Sequence, residues 1–356
     1  QVYLVYTTHI IMPDNIFSTL SRLETTFLSF ADHDFPLDSI LEYQKSFPRA
    51  AIYTHSYTLT SLFHRWWIHT CLAGHLHHLK KLRSLLENNK PRKDIALRHD
   101  VAYLWLGHAR RLFERENYFH TQFDECSVAE YVLKPEELKI GDVVLSYKTR
   151  KYLLHSPLSL FIKFITRSSI THVMVACHDE GGVPSLLMSD DTTKGLGVIG
   201  ATTDPGEVLI VLEPLSHPRL TEVPSEIRRL RRLAEQKDSD PVLRRLYDFP
   251  EIKCEVACLV GFLYVSSGFI RRKPLSLKNP LQHWRGTFCS ELVDYIFKTA
   301  GILLTPRSEH HAIVGPVEFF YSPRLRLKGI IGDPATIEQT KVEIRNKIGG
   351  TPKISC

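Results

Sequence analysis

Cys289 is the residue whose type and position in the sequence most clearly suggest chemistry. Residues 292–297 repeat apolar side chains at helical spacing, which predicts a helix that begins close to Cys289. A thiol at the start of a helix faces unpaired backbone N–H groups and the positive end of the helix dipole, and both favour the thiolate. Cys289 is therefore a candidate nucleophile, with an inert core cysteine as the alternative interpretation.

His172 is the candidate base for that thiol. It lies in a β-branched run, THVMVAC at residues 171–177, which a glycine-containing turn separates from a second strand at residues 185–190. A cysteine nucleophile needs a base and a third group that orients the base. Alternation along the second strand favours Asp190 as that group, with Asp191 as the alternative. A strand histidine bonded only to backbone is the competing interpretation of His172. The alternative bases are His155, His178 and His283.

Four short segments occur in an order that resembles a known enzyme family. They read LKIGDVVL at residues 138–145, THVMV at 171–175, FCSELV at 288–293 and GPVEFFYSP at 315–323. Together they resemble the circularly permuted NlpC-like papain-fold cysteine hydrolases, the YiiX-like amidase group, which is related to the lecithin-retinol acyltransferase-like enzymes. The likeness covers roughly residues 135–328.

The resemblance implies a role for each residue already singled out. His172 matches the general base of the family and Cys289 its nucleophile, and the histidine precedes the cysteine here as it does in the permuted enzymes. The third group departs from the pattern, because this chain has Ser189, Asp190 and Asp191 where the family often has glutamate followed by alanine. A second departure is a long insertion at residues 214–279.

Periodicity divides the chain into a helical first part and a mixed second part. Helices are predicted at residues 14–30, from Asp38, at 58–88 and at 94–117, followed by a connecting segment at 118–134. From Gly141 the period changes to two, which predicts a small antiparallel sheet. Its strands are predicted at residues 143–145, 172–177, 185–188, 197–199 and 208–212. Further helices are predicted at residues 156–165, after Thr221 and at 255–271.

The predicted fold class is therefore α+β. An α-helical N-terminal domain at residues 1–134 precedes a permuted papain-like catalytic domain at 135–332, and residues 333–356 form a peripheral tail. The length of 356 residues and the hydrophobic share of 43% suit two ordinary globular domains.

The net charge of +6 is concentrated in clusters at residues 228–232, 244–245 and 271–273. Such clusters suit an anionic surface, although most are solvated helix faces. Arg271 and Arg272 are candidate substrate-binding residues, beside an apolar stretch at residues 256–270 that is too short and too polar to predict a transmembrane helix. We expect no nucleic-acid partner, and the resemblance to the YiiX-like group favours a bacterial cell-envelope or secreted location.

The cysteines and histidines suggest two weaker metal hypotheses. Seven cysteines at irregular spacing argue against a disulfide framework. Cys254 and Cys258 lie four apart, and His75 and His78 share a helix face, but neither pair has the rest of a ligand set in the sequence. We therefore predict no metal and no organic cofactor.

The chemistry expected from Cys289, His172 and Asp190 is acyl transfer through an acyl-enzyme. The resemblance favours amide bonds, with peptidoglycan peptides as the substrate. A lipid-directed thioesterase or acyltransferase of the same fold is the first alternative. The second is a non-catalytic binding module with a vestigial site.

Overall fold

The computed structural model describes most of the helices and strands that the sequence predicts. The described residues are 13–49, 51–52, 62–124, 132–148, 170–179, 181–190, 195–237, 240, 289–308 and 314–339. Two compact units divide the chain, Gln1–Glu114 and Arg115–Cys356. The predicted helices at residues 156–165 and 255–271 lie outside the described residues.

The described residues in the first part of the chain include four helices of ten residues or more. They are α1 (Pro13–Asp32), α2 (Leu37–Ser46), α3 (Leu62–Glu87) and α4 (Arg92–Asp124). All four helices were predicted, but the connecting segment was predicted to begin too early. No glycine or proline interrupts residues 111–124, so α4 continues through Asp124 instead of ending at Asn117.

Aromatic rings and histidines form the core between the first helices. Phe27 stacks on His99 at a centroid distance of 4.4 Å and meets His75 edge-on at 5.0 Å. His75 Nδ1 donates to the carbonyl oxygen of Ala102 at 2.8 Å, so Nε2 carries the lone pair that accepts from the Tyr43 hydroxyl at 3.2 Å. Both ring nitrogens of His75 therefore bind protein groups, which favours a structural role for this residue.

Close packing of α3 on α4 explains the glycine in the histidine-rich segment. A β-carbon added to Gly74 would lie 2.5 Å from the Trp105 ring, closer than real β-carbon contacts. Gly74 therefore lets the two helices approach, and the HLHH sequence that follows it continues a helix in close contact with its neighbour.

The second unit contains a six-stranded antiparallel sheet. Its strands are β1 (Val143–Lys148), β2 (Ile170–His178), β3 (Pro184–Asp190), β4 (Gly195–Gly200), β5 (Glu207–Pro214) and β6 (Leu325–Ile331). Their spatial order is β4-β3-β2-β1-β5-β6. The α+β class and the five predicted strands are confirmed. The sixth strand was missed, because Lys328-Gly329 interrupts its alternation where the register with β5 shifts.

One face of the sheet forms a continuous apolar cluster. Val144, Met174, Leu186 and Met188 alternate onto this face and pack with Leu138. The remaining members of the cluster are Ala176, Ala201, Leu209, Val211 and Ile331.

Three helices in the described part of the second unit cover part of the sheet. They are α5 (Val223–Lys237), α6 (Cys289–Thr299) and α7 (Pro316–Phe320). Helix α5 contacts β2 and β4, α6 contacts β2, β3 and α5, and α7 contacts β1 and β2. Helices were predicted after Thr221 and at Cys289, and both are confirmed. No helix in the described ranges has the length and hydropathy needed to cross a bilayer.

The Gly-Asp pair before β1 has a structural role. Gly141 has φ 97°, which favours glycine, and its N–H donates to the carbonyl oxygen of Ala176 at 3.0 Å. Asp142 is 3% exposed, accepts from the backbone of Lys139 at 2.8 Å and pairs with Lys328 Nζ at 2.6 Å. These contacts fix the start of β1 against β2 and β6.

Burial of His75 predicts acid sensitivity of the helical unit. Desolvation lowers the pKa of His75 to about 4 from an ordinary value of 6.5, so the unfolded chain binds more protons between these pH values. The stabilisation that comes from keeping His75 neutral is complete above pH 6.5. It decreases as the pH falls toward 4, by about 1.4 kcal/mol for each pH unit and by roughly 3 kcal/mol in total. Hydrogen exchange of α3 peptides from the full chain should show faster opening over this window.

A His75→Gln variant provides the control, since its side chain does not titrate. Its α3 peptides should exchange with a weaker pH dependence of opening between pH 6.5 and 4. Equal pH dependence in both proteins would assign the acid sensitivity to other groups.

Candidate active site

Cys289 is the first residue of α6, as predicted. The apolar side chains of this helix are buried, and the Cys289 side chain is itself 9% exposed. The buried Ser290 hydroxyl donates to the carbonyl oxygen of Val314 at 2.6 Å, which ties the first turn of α6 to the segment before α7. Backbone N–H groups at the start of a helix have no partner within it, which suits them to binding a developing oxyanion.

Buried polar contacts link residues 305–308 to α6 and to α7. The Ser308 hydroxyl donates to Asp294, and Lys298 Nζ donates to the carbonyl oxygen of Ser308 at 3.0 Å. Arg307 pairs with Glu318 at 2.9 Å, and both side chains are nearly inaccessible to solvent. Burial raises the pKa of Glu318, while Arg307 opposes that shift. Breaking this pair would leave a buried charge without its counter-charge, so we assign it to positioning the segment around Val314.

His172 lies near the beginning of β2 and is half-buried. It pairs across the ladder with Ser146 of β1. The next step of the register, from Tyr147 to Ile170, skips Thr171, so a bulge lies directly beside His172. Bulges bend a strand and redirect side chains, and they are frequent next to active sites.

Ser146 and Glu207 are candidate site residues that the sequence interpretation missed. Ser146 is 2% exposed, and its hydroxyl donates to Glu207 Oε1. Glu207 begins β5, opposite Lys148. The only sequence signal was a serine inside the apolar strand VVLSYK, and nothing in the linear spacing joined it to residue 207.

Asp190 is the last residue of β3, where its backbone pairs with Gly195. The ladder between β2 and β3 includes Val175 opposite Leu187, and the same register extended along both strands would bring Asp190 opposite His172. The alternative third residue, Asp191, lies outside the described residues.

The structure packs the helix of Cys289 against the strand of His172 and against β3. Within the described ranges, the Cys289 side chain makes no hydrogen bond, to His172 or to any other residue. Catalytic hydrogen bonds are often long before substrate binds. The missing hydrogen bond between Cys289 and His172 therefore does not remove these two residues as a candidate catalytic pair.

The other candidate residues either make a structural hydrogen bond or lie outside the described residues. His178 Nε2 donates to the carbonyl oxygen of Leu138 at 3.2 Å, which favours a structural role over that of a base. Arg271, Arg272, Cys254, Cys258, His155 and His283 lie outside the described residues. Among the residues that the structure does describe, no three histidine, cysteine or acidic side chains converge as metal ligands.

Helix α5 shows what the first arginine cluster does. Arg231 is 9% exposed, donates to the carbonyl oxygen of His178 at 2.6 Å and pairs with Glu235 at 2.7 Å. Arg229 pairs with Glu226 at 2.6 Å, whereas Arg228 and Arg232 are exposed. The cluster therefore combines a structural arginine with a basic surface.

Comparison with known proteins leaves the family open. No protein-family model matches the chain, and no curated protein matches its sequence.

Cys289 should be alkylated before the other cysteines that the structure describes. Burial raises the pKa of Cys177 to about 12, so its thiolate fraction at pH 7 is on the order of 10⁻⁵. Cys71 is inaccessible in the helical core. Limited treatment of the native chain with iodoacetamide at pH 7, followed by peptide mass spectrometry, should label Cys289 ahead of both. Earlier labelling of Cys177 or Cys71 would contradict the assignment of Cys289 as the reactive thiol.

Proposed function

We propose that this chain is a cysteine hydrolase that cleaves amide bonds through an acyl-enzyme, in a domain of the permuted papain-like type. The observation that carries the proposal is the position of Cys289, at the first residue of a helix that packs against both β2 and β3. That helix start offers N–H groups to a thiolate and to an oxyanion, and β2 contributes a histidine next to a bulge.

In the proposed reaction, His172 removes the thiol proton and the Cys289 sulfur attacks the carbonyl carbon of the substrate. Backbone N–H groups at the start of α6 stabilise the oxyanion that forms. The C–N bond then breaks, and His172 gives its proton to the leaving amine. Water, deprotonated by His172, releases the acyl group and restores the thiol. Asp190 orients the imidazole in this scheme.

The proposed substrate is an amide in a peptidoglycan peptide, which rests on the likeness of the four motifs to the YiiX-like group. The acyl-transfer chemistry itself requires only a carbonyl next to a leaving group, so an ester or thioester would react at the same site.

A lipid-directed thioesterase or acyltransferase is the second candidate. The exposed Arg228 and Arg232 on α5 favour it, because arginine binds phosphate groups well and basic surfaces attract anionic head groups. The predicted site residues Arg271 and Arg272 would add to this charge. A binding module without activity remains the third candidate.

The test is to trap the acyl-enzyme. The full chain is exposed separately to peptidoglycan peptides and to acyl esters or thioesters, and the products are analysed by intact-protein and peptide mass spectrometry. We expect an acyl adduct on the peptide that contains Cys289 and turnover of the peptidoglycan amide. Cys289→Ala should abolish both, whereas Cys177→Ala serves as the matched control and should retain them.

The substrate that gives the adduct separates the candidates. Adducts from acyl esters alone would favour the lipid-directed enzyme. A folded chain that forms no adduct and turns over no substrate would contradict the catalytic proposal and favour the binding module.

A further inference from the structure

A line of polar residues crosses three adjacent strands of the sheet beside the candidate base. His172 of β2 pairs with Ser146 of β1, and the Ser146 hydroxyl donates to Glu207 at the start of β5. Directly paired residues of an antiparallel ladder point to the same face, with β-carbons about 5 Å apart. The ladder partner of Ser146 on β5 is Leu209, and Glu207 lies two residues from it, so His172, Ser146 and Glu207 share one face of the sheet.

The hydrogen bond from Ser146 to Glu207 determines what Ser146 can offer to His172. A hydroxyl has one proton, and here it points to a carboxylate, which only accepts. The remaining lone pairs of the Ser146 oxygen can accept a proton from a neighbour. The neighbour across the ladder is an imidazole, whose protonated ring nitrogen is a donor.

We propose that Ser146 and Glu207 are positioning residues for His172. Ser146 is the ladder partner of His172, although the structure shows no hydrogen bond between these two described side chains. In the proposal, Ser146 accepts the N–H of one ring nitrogen and so leaves the lone pair on the other, while Glu207 keeps the Ser146 hydroxyl in the accepting orientation. A histidine acts as a base only through the nitrogen that lacks a proton, so fixing the tautomer also fixes the direction of proton transfer. The base that this pair orients is the one assigned in the proposed function.

The burial of Ser146 supports this role. It is 2% exposed in a strand whose other residues up to Tyr147 are apolar or aromatic, where a hydroxyl without a partner would be costly. Glu207 also accepts from the backbone of Asp204 at 3.2 Å, so the competing interpretation is that Glu207 stabilises only the turn before β5. The other charged positions on the strands around His172 are Lys148 on β1 and Asp190 on β3.

The experiment measures the tautomer of His172 in the full chain. Selective ¹⁵N labelling of histidine gives ring-nitrogen shifts that distinguish the two neutral tautomers, and loss of a signal in His172→Gln assigns the residue. In the parent, His172 should populate one tautomer. In Ser146→Ala both tautomers should be populated, and alkylation of Cys289 at pH 7 should slow by roughly tenfold.

Two variants of Glu207 separate positioning from turn stability. Glu207→Gln keeps a carbonyl oxygen that accepts the Ser146 proton, so the tautomer should be retained. Glu207→Ala removes that acceptor, so both tautomers of His172 should appear. This variant also tests the proposal if Ser146→Ala fails to fold. Glu213→Gln is the matched control, because Glu213 lies on the same strand and pairs with the exposed Arg326.

Unchanged His172 shifts in Ser146→Ala, or in Glu207→Ala, would overturn the inference. A change of tautomer with an unreactive Cys289 would leave the positioning role intact and remove the proposed hydrolase. Failure of the two claims is therefore distinguishable.

Discussion

The packing of α6 on β2 and β3 is the constraint on which the candidate site depends. A helix that presents a cysteine as its first residue can do chemistry only if that end is fixed against the groups it works with. The apolar side of α6 provides the contact with the sheet, and the bond from Ser290 to Val314 fixes the first turn. Glu318 pairs with the buried Arg307 and also accepts the N–H of Gly315, the residue after Val314. These two contacts fix the start of α7 beside Val314. The thiol is thus positioned by packing and by polar contacts together.

The second requirement of the proposed mechanism is an imidazole with a fixed orientation, which we assign to His172 of β2. Regular alternation alone would place His172 with Met174 on the face of the apolar cluster. The register keeps that placement, because His172 pairs with Ser146 two residues from the pair of Met174 and Val144. The bulge at Thr171 follows directly after His172. Ser146 pairs with Leu209 of the apolar cluster, and its hydroxyl reaches Glu207 two residues away on β5. The polar residues therefore adjoin the edge of the apolar core near His172. A local irregularity in the ladder and a local change of polarity therefore coincide.

Much of the fold could be predicted from the sequence because its signals are local. The period-two segments separated by Gly, Pro and Asp turns predicted five strands, and the spacing of Leu292, Val293 and Ile296 predicted α6 from its first residue. The sixth strand escaped because a bulge breaks its alternation, and α4 proved longer because no residue near Asn117 ends a helix.

The candidate site was less accessible to prediction than the fold. The nucleophile and the base were chosen from their residue type and local pattern, but Ser146 and Glu207 lie 61 positions apart and meet only through the pairing of β1 with β5. Arg231 shows the same limit, because a residue in a basic run proved to bind the end of β2. Long-range strand pairing decides these contacts, and no local spacing encodes it.

The central claim is that His172 activates Cys289, and the rate of Cys289 alkylation as a function of pH tests it most directly. The parent, His172→Gln and His178→Gln are compared, since His178 lies on the same strand and binds the backbone of Leu138. We predict that His172→Gln slows alkylation near pH 7 by at least about tenfold. The rate should recover at high pH, where hydroxide removes the thiol proton. His178→Gln should match the parent. Superimposable profiles for the parent and His172→Gln would contradict it.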